Sequence, residues 1–291
     1  MGALLRRYRS VVPYLLLAPG IAWLFVFYLY PAIQMFITSF WSGSLEQGYT
    51  FSLSNWTNYT TALSRYQDQF IRSIFFAGGA TILTFLISFP LAYTIAFRGG
   101  RYKNLLLFLV VAPFFTSFLL RVISWGTILG DDGLLLGPLK SAGLVGEDVR
   151  ILATPIAVIS GIAYNFLPFM TLPIYVSLEK IDRRLLEAGQ DLYATPVSTF
   201  RKITLPLALP GMFAGTLLTF IPAMGDYVNA ELLGQTPNTK MIGNVIQSRF
   251  LAVNDYPTAA ALSFILMAGI LVAVAVYARI LGTEELMNAT I

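Results

Sequence analysis

Residues 181–211 read IDRRLLEAGQDLYATPVSTFRKITLPLALPG, a polar segment between two long apolar runs. Leucines and small residues recur at 185, 186, 188, 189 and 192, which places them on one side of a helix, and charged residues cover the remainder. Thr195-Pro196 favours a break, with Pro196 in the first turn of a second short helix over residues 197–203. Residues 181–206, called the elbow below, are therefore predicted to form two helices at an angle, suited to a groove on another protein.

The composition of the chain is typical of a membrane protein. Of its 291 residues, 56% are hydrophobic and only 12% are charged, whereas soluble domains are about one quarter charged. The lack of cysteine and histidine excludes disulfides, a thiol nucleophile, a histidine base and the usual zinc or haem ligands. A P-loop of the form G-x-x-x-x-G-K-[ST] is also absent. We therefore expect no catalytic residue, metal site or cofactor in this chain.

Six apolar runs are long enough to cross a hydrocarbon core of about 30 Å. The first run is longer than the core of a signal peptide, which has about 7 to 15 residues, so we expect it to be retained as a span. No soluble domain or repeat interrupts the pattern. The sequence thus predicts an all-α membrane protein with a single domain, residues 1–291. The predicted spans are residues 11–35, 73–97, 105–129, 151–178, 205–226 and 256–278.

The basic residues predict how the chain is oriented in the membrane. With the N-terminus inside, twelve Lys and Arg residues lie in inner segments and six in outer segments. Because Lys and Arg are enriched on the cytoplasmic side, both termini and the elbow are expected in the cytoplasm, and residues 38–70 in an external loop. The basic residues flank apolar runs, which argues against nucleic-acid binding. Arg121, inside the third run, either snorkels to the outer surface or lines a pathway.

The elbow resembles the cytoplasmic coupling loop of bacterial ABC-importer permeases. That loop reads approximately E-A-A-x-x-x-G, then about nine residues, then I-x-L-P, and the spacing from Glu187 to Leu205-Pro206 fits it. Gly189 replaces the second alanine, and Tyr193 stands where the family has glycine, so we expect a bulky ring at a tight place. The residues that the resemblance implies contact an ATPase are Glu187, Ala188, Gly189, Asp191 and Leu192.

A second resemblance concerns the substrate. Residues 220–234 (FIPAMGDYVNAELLG), 241–244 (MIGN), 255–257 (DYP) and 167–170 (LPFM) are similar to segments of permeases from spermidine/putrescine importers. This implies the six-helix type I ABC-importer permease architecture in the bacterial plasma membrane. It also implies four kinds of partner, which are a second permease subunit, a cytoplasmic ATPase dimer that holds ATP and Mg²⁺, an extracytoplasmic polyamine-binding protein, and membrane lipid.

Other functions stay open on the sequence alone. Importers of other small organic solutes share parts of the pattern, so the solute is an expectation. A secondary transporter would use buried carboxylates or histidines, and the first four runs contain neither. A channel would need no coupling loop. A membrane enzyme is disfavoured by the lack of histidine, cysteine and paired intramembrane carboxylates.

Asp226 is the predicted substrate carboxylate. If the fifth helix starts near Pro210, Asp226 lies 16 residues on, or about 24 Å along the axis, within a core of about 30 Å. A charge at that depth is costly unless it is paired or faces water, so it is expected to face the pathway and pair with a polyammonium. The alternative is that Asp226 caps the backbone locally or pairs with Arg121. The residues expected to add hydrogen bonds and cation–π contacts are Tyr227, Asn229, Glu231, Tyr164 and Trp125.

Overall fold

A computed structural model of the chain describes residues 12–44, 46, 48–53 and 56–281. These residues form two compact units, one comprising the described residues up to Arg65 together with Ser248–Ile265, and the other comprising Tyr66–Gln247 with the described residues from Leu266 onward. The basic residues before the first span lie outside the described residues. Helices dominate both units, and the expected all-α membrane architecture is confirmed.

The first unit begins with a helical rod and a β-hairpin. Helix α1 (Val12–Leu24), a π-helical turn (Phe25–Leu29) and α2 (Tyr30–Thr38) follow one another without a break. Their side chains are almost all exposed, as expected for a rod that contacts lipid or a partner. Strands β1 (Trp41–Ser44) and β2 (Gly48–Phe51) then pair antiparallel. The segment predicted to be an external loop therefore contains a short sheet.

Helix α3 (Thr57–Arg98) is long because two helices join at Tyr66, whose φ of −119° and ψ of 17° are not helical. The predicted second span, residues 73–97, lies in its C-terminal part. The N-terminal part, residues 57–65, belongs to the segment that the sequence assigned to an external loop. This difference arises because the segment lacks the apolar run of a span but contains no proline or glycine to prevent a helix.

The third apolar run, predicted as a span over residues 105–129, is bent. A 3₁₀ turn (Gly100–Tyr102) precedes the run, which is made of α4 (Lys103–Val111), a second 3₁₀ turn (Ala112–Phe115) and α5 (Phe118–Leu129). The two halves are bent by 97°. Pro113 removes a backbone donor, and Thr116 and Ser117 are extended with ψ of 154° and 134°. Five other helices are long and apolar enough to span a membrane, and this bent pair makes a sixth candidate.

Helices α7 and α10 form the centre of the second unit. After α6 (Leu136–Ser141), α7 (Pro155–Glu179) begins at Thr154, whose hydroxyl accepts a hydrogen bond from the Ala157 amide. Helix α10 (Leu205–Met224) packs closely against α7. A Cβ at Gly211 would collide with the Pro173 carbonyl oxygen and lie 2.5 Å from Ser177 Oγ. This close approach requires glycine and fixes the two helices that carry the candidate site.

The elbow lies between these two helices. Helix α8 (Arg183–Asp191) is followed by α9 (Pro196–Thr199), with the Thr195 hydroxyl accepting from the Ser198 amide at the α9 N-terminus. A π-helical turn (Phe200–Thr204) then continues directly into α10. The predicted second helix thus begins as expected, but it does not end at residue 203. It is continuous with the fifth span, which was predicted to start at residue 205, because nothing between Thr199 and Leu205 breaks the helix.

The remaining elements follow α10. They are a π-helical turn (Ala230–Gly234), a 3₁₀ turn (Pro237–Thr239), α11 (Ile242–Gln247), a second π-helical turn (Ser248–Ala252) and α12 (Tyr256–Leu281). Leu233 is fully buried among residues of α7, including Val158 and Ile162. A second apolar cluster, near the elbow, joins Met170 and Leu178 to Ala208.

Candidate functional site

Asp226 lies two residues beyond the end of α10 and is 8% exposed. Its Oδ1 accepts a hydrogen bond of 2.8 Å from the Asn229 backbone amide, and its Oδ2 accepts one of 2.7 Å from Asn229 Nδ2. Both carboxylate oxygens are therefore used to cap the next turn. Of the alternatives raised by the sequence, local capping is present, and within the described residues no ion pair joins Asp226 to Arg121.

A buried hydrogen-bond network connects this cap to α7. Asn229 is fully buried, and its Oδ1 accepts a bond of 3.2 Å from Asn165 Nδ2. Asn165 Nδ2 also donates to the Gly161 carbonyl oxygen at 3.0 Å, whereas Asn165 Oδ1 has no hydrogen-bond partner in the described part of the chain. We call Asp226, Asn229 and Asn165 the polar cluster. Asn165 was missed by the sequence analysis, although an amide in the middle of an apolar run is a signal that could have found it.

Glu231 and Tyr227 belong to the same segment as the polar cluster but are more exposed. Asn244 Nδ2 donates to Glu231 Oε2 at 2.9 Å and to the Tyr227 carbonyl oxygen at 3.0 Å. The Tyr227 side chain is 45% exposed. Asn244, which the sequence analysis quoted but gave no role, therefore holds the segment after α10 in place.

Trp125 and Tyr164 are brought together as an aromatic pair. Their rings stack with centroids 5.1 Å apart and planes 2° apart, and Trp125 Nε1 donates to Ser160 Oγ at 3.2 Å. The pair lines a cavity of about 420 Å³ whose lining does not include the polar cluster. Gly161 lies between the two groups, since a Cβ there would be 2.8 Å from Asn229 Oδ1 and 3.3 Å from Trp125 Cδ1. The predicted substrate residues thus form two neighbouring groups.

Arg121 lines the same cavity and is 8% exposed. Its guanidinium carbon lies 5.5 Å from the Phe114 ring centroid and 5.7 Å from that of Phe118. The expectation that Arg121 snorkels to the outer surface is therefore wrong for this structure. The side chain lies near the two aromatic rings and lines a cavity, and the alternative that it lines a pathway stays a prediction.

The outer side of α8 is exposed, and this is where most of the predicted ATPase contacts lie. Glu187, Ala188, Asp191 and Leu192 are all exposed, Leu192 to 81%. Gly189 differs because it is buried, and a Cβ there would be 3.3 Å from both Ile203 Cδ1 and Thr199 Oγ1. Gly189 therefore allows the two arms of the elbow to approach each other.

Tyr193 has a left-handed backbone conformation with φ of 55°, and its side chain is 97% exposed. The expectation of a crowded ring was wrong, because the ring projects into open space. The preference for glycine at this position follows from the backbone conformation, which costs side-chain-bearing residues about 1–2 kcal/mol.

The base of the elbow is anchored by polar and apolar contacts. Lys103, at the start of α4, forms an ion pair with Glu179 at the end of α7, and its ammonium nitrogen lies 5.6 Å from the Tyr175 ring centroid. Ile181 is buried next to Leu178 in the apolar cluster near the elbow. The exposed side of α8 is thus presented by a base that is fixed to the helical core.

Comparisons with known proteins give the family and the fold. Residues 88–281 match the family described as "Binding-protein-dependent transport system inner membrane component". The chain is 39% identical over 269 residues to the spermidine/putrescine transport system permease protein PotB of Haemophilus influenzae, covering 92% of each chain. It is 37% identical over 248 residues to PotB of Escherichia coli, covering 84% of this chain and 89% of that one.

Solved structures share this fold at lower sequence identity. A chain of a bacterial ABC transporter involved in the import of the acidic polysaccharide alginate superposes with a TM-score of 0.72 at 22% identity, covering 96% of this chain and 98% of that chain. A chain of the MetNI methionine ABC transporter superposes with a TM-score of 0.56 at 18% identity, covering 77% and 97%. The protein described here therefore has the fold of an ABC-importer permease and belongs to the family of binding-protein-dependent transport system inner membrane components.

Proposed function

We propose that this chain is the membrane-spanning permease subunit of an ATP-driven importer of polyamines such as spermidine and putrescine. The observation that carries the proposal is the identity of 37–39% with two spermidine/putrescine permeases over 84–92% of the chain. The expected partners are a second permease subunit, a cytoplasmic ATPase dimer and an extracytoplasmic binding protein. ATP and Mg²⁺ belong to the ATPase, since this chain has no P-loop.

Coupling to the ATPase is assigned to the exposed side of α8. Its exposed residues are two carboxylates, a small residue and an apolar side chain, namely Glu187 and Asp191, Ala188, and the following Leu192. Gly189 is buried and lets the two arms of the elbow pack closely. The second arm continues through a π-helical turn into α10. A displacement of the elbow by the ATPase would therefore be transmitted directly to a spanning helix, as alternating access between discrete states requires.

The substrate path is assigned to the surfaces of the polar cluster and the aromatic pair. Asp226 keeps further lone pairs on both oxygens after its two bonds with Asn229. Glu231 and the exposed ring of Tyr227 lie on the same segment, and Trp125 and Tyr164 offer a stacked pair of π-faces. Carboxylates and aromatic rings are the groups that bind alkylammonium ions.

The proposal is tested by reconstituting the chain with its second permease, ATPase and binding protein in proteoliposomes. We expect ATP-dependent uptake of labelled spermidine that excess putrescine inhibits and that choline, a single-charge cation, inhibits far less. A Walker A lysine variant of the ATPase is the matched control and is expected to abolish uptake. ATP-dependent uptake of a different solute, with no competition by polyamines, would contradict the assignment of the substrate class.

A further inference from the structure

Arg121 is a buried cation with no anionic partner among the residues that the structure describes. Neither a hydrogen-bond acceptor nor an acidic side chain contacts its guanidinium in the described part of the chain, and its Nε is both buried and unpartnered. Its guanidinium lies near the rings of Phe114 and Phe118. Charged groups in spanning segments are retained where they pair or face a polar cavity, and an uncompensated buried charge is strongly destabilising. An anion beside Arg121 would therefore stabilise this side chain.

The cavity beside Arg121 has room for an anionic group. It has a volume of about 420 Å³ and is lined by Arg121 together with Thr116, Ser124, Trp125 and Tyr164. The guanidinium carbon lies 5.5 Å from the Phe114 ring centroid and 5.7 Å from that of Phe118. A guanidinium presented in this way matches the two oxygens of a carboxylate, which it binds through two parallel hydrogen bonds.

The break between α4 and α5 argues against lipid tails covering this surface. Thr116 and Ser117 are extended and exposed, and they interrupt a run that otherwise has the length and apolarity of a span. Irregular backbone at membrane depth is tolerated where protein or a water-filled cavity surrounds it, but not against lipid tails. A lipid headgroup would also draw an arginine outward, whereas Arg121 is folded inward and is 8% exposed.

We infer that Arg121 and the adjoining cavity form a docking site for a carboxylate of the second permease subunit. This inference rests on the proposed function, because that function supplies the second subunit. The inference also adds to the proposed function, since an unpaired guanidinium beside Trp125 and Tyr164 would repel a polyammonium from the aromatic pair. An Asp or Glu inserted from the second subunit would cancel that charge and complete the wall of the path.

The first experiment locates the occupant without changing Arg121. A photo-crosslinking amino acid replaces Leu120, which lines the cavity and is 60% exposed, in the complete complex in membranes. We expect an adduct with a peptide of the second permease that contains Asp or Glu. The same residue at Ile82, which is 63% exposed on α3, is the control and is expected not to capture that peptide.

Four outcomes of this experiment would overturn the inference. They are adducts with lipid alone, an adduct with a second copy of this chain, a captured peptide without Asp or Glu, and capture of the same peptide from Ile82. Because crosslinking is read without substrate or ATP, any of them leaves polyamine uptake as an independent test of the proposed function. Conversely, if the complex assembles but does not transport polyamines, the crosslink is still expected to form.

The second experiment tests the ion pair. Arg121→Glu is expected to lower copurification of the second subunit by at least about tenfold, because it removes a buried ion pair and adds repulsion. Replacing the captured Asp or Glu by Arg in the same complex is expected to restore it. If Arg121→Glu fails to insert, Arg121→Lys and Arg121→Gln provide the comparison, and the charge-retaining lysine is expected to copurify more partner. Equal copurification in this comparison would contradict the ion pair.

Discussion

Tyr193 stands where the family pattern has glycine, at a position with a left-handed backbone conformation. Its φ of 55° lies in the left-handed region, and its ring makes almost no contact with the chain because it is 97% exposed. The strain of this conformation is about 1–2 kcal/mol for a residue with a Cβ. Glycine would remove that strain, but it also increases the conformational freedom of the unfolded chain.

Tyr193→Gly is therefore expected to leave the free energy of unfolding within about 1 kcal/mol of the parent, because the two effects oppose each other. Polyamine uptake is expected to be unchanged. Tyr193→Val is the control, since a β-branched residue with positive φ is strained further, and it should lower the thermal midpoint of the purified complex. Loss of the ATPase from the Tyr193→Gly complex would show instead that the ring contacts the ATPase.

Asp226 combines a structural contact with the proposed substrate role. Its two oxygens accept from the backbone and the side chain of Asn229, which in turn accepts from Asn165. A neutral amide at position 226 still accepts from the Asn229 backbone. Its NH₂ group, however, faces Asn229 Nδ2, and the amide of Asn229 must rotate to avoid this contact.

Asp226→Asn is expected to leave the complex assembled and to reduce polyamine uptake at least about tenfold, because the carboxylate that pairs with the ammonium is lost. Asn229→Ala is the matched variant. It removes the side-chain bond to Asp226 without removing the charge, and it is expected to lower thermal stability more than Asp226→Asn does. Uptake and copurification are measured in the same preparations. Loss of the assembled complex in Asp226→Asn, or unchanged uptake, would count against the pathway role.

Helix α8 has an outer side that is exposed and an inner side that holds the elbow together. Ala188 and Gly189 are neighbours in sequence, yet Ala188 is exposed whereas Gly189 is buried against Thr199 and Ile203. Substitutions at these two positions therefore report on different contacts, one with a partner and one within the chain.

Ala188→Trp is expected to detach the ATPase or to abolish its coupling to transport, because a large ring on the outer side cannot enter a groove that fits a methyl group. Membrane insertion of the chain is expected to be normal. Ala188→Ser, which keeps the side chain small, is the control. The measurements are copurification of the ATPase and ATP-dependent uptake, and an unchanged result for both in Ala188→Trp would show that the elbow does not enter such a groove.

Helices α7 and α10 depend on glycine where they approach most closely. Gly211→Ala is expected to destabilise the fold by about 1–3 kcal/mol, because the added methyl group meets the Pro173 carbonyl oxygen and the backbones must separate. Gly269→Ala, in α12, is the matched control, since a Cβ there meets nothing within 4 Å. Thermal unfolding of the purified complex checks both. An equal effect of the two variants would contradict the close packing of α7 on α10.

The molecule as a whole combines five long apolar helices with one bent pair. A chain with this number of spans has both termini on the same side of the membrane if the bent pair crosses once. The distribution of twelve inner and six outer basic residues predicts that this side is the cytoplasm. The elbow follows the predicted fourth span, so it is expected on the same side.

This arrangement predicts that a reporter fused after Arg279 is active only in the cytoplasm, as is a thiol probe introduced at Arg101. A probe at Glu46, in the turn between β1 and β2, is expected to react from outside and serves as the control. Labelling of intact cells with a membrane-impermeant reagent makes the measurement. Labelling at position 101 or 279 from outside would contradict the six-span arrangement.

Local patterns were sufficient for much of this protein. Apolar length predicted the membrane class, and the elbow's Thr195-Pro196 predicted the start of α9, because capping and proline act on neighbouring residues. The spacing from Glu187 to Leu205-Pro206 was enough to indicate the permease family. These features depend on composition and on contacts within a few residues, which a single sequence contains.

Other features depended on contacts between distant segments. The bond between Asn229 and Asn165 spans 64 positions, and the stacking of Trp125 on Tyr164 joins α5 to α7. The 97° bend depends on where α4 and α5 pack, although Pro113 permits it. The sequence allowed two placements for the Arg121 side chain, at the outer surface or along a pathway. Only its packing near Phe114 and Phe118 shows that it is buried. An apolar run specifies burial in a membrane, but neighbouring helices determine which polar side chains meet inside it.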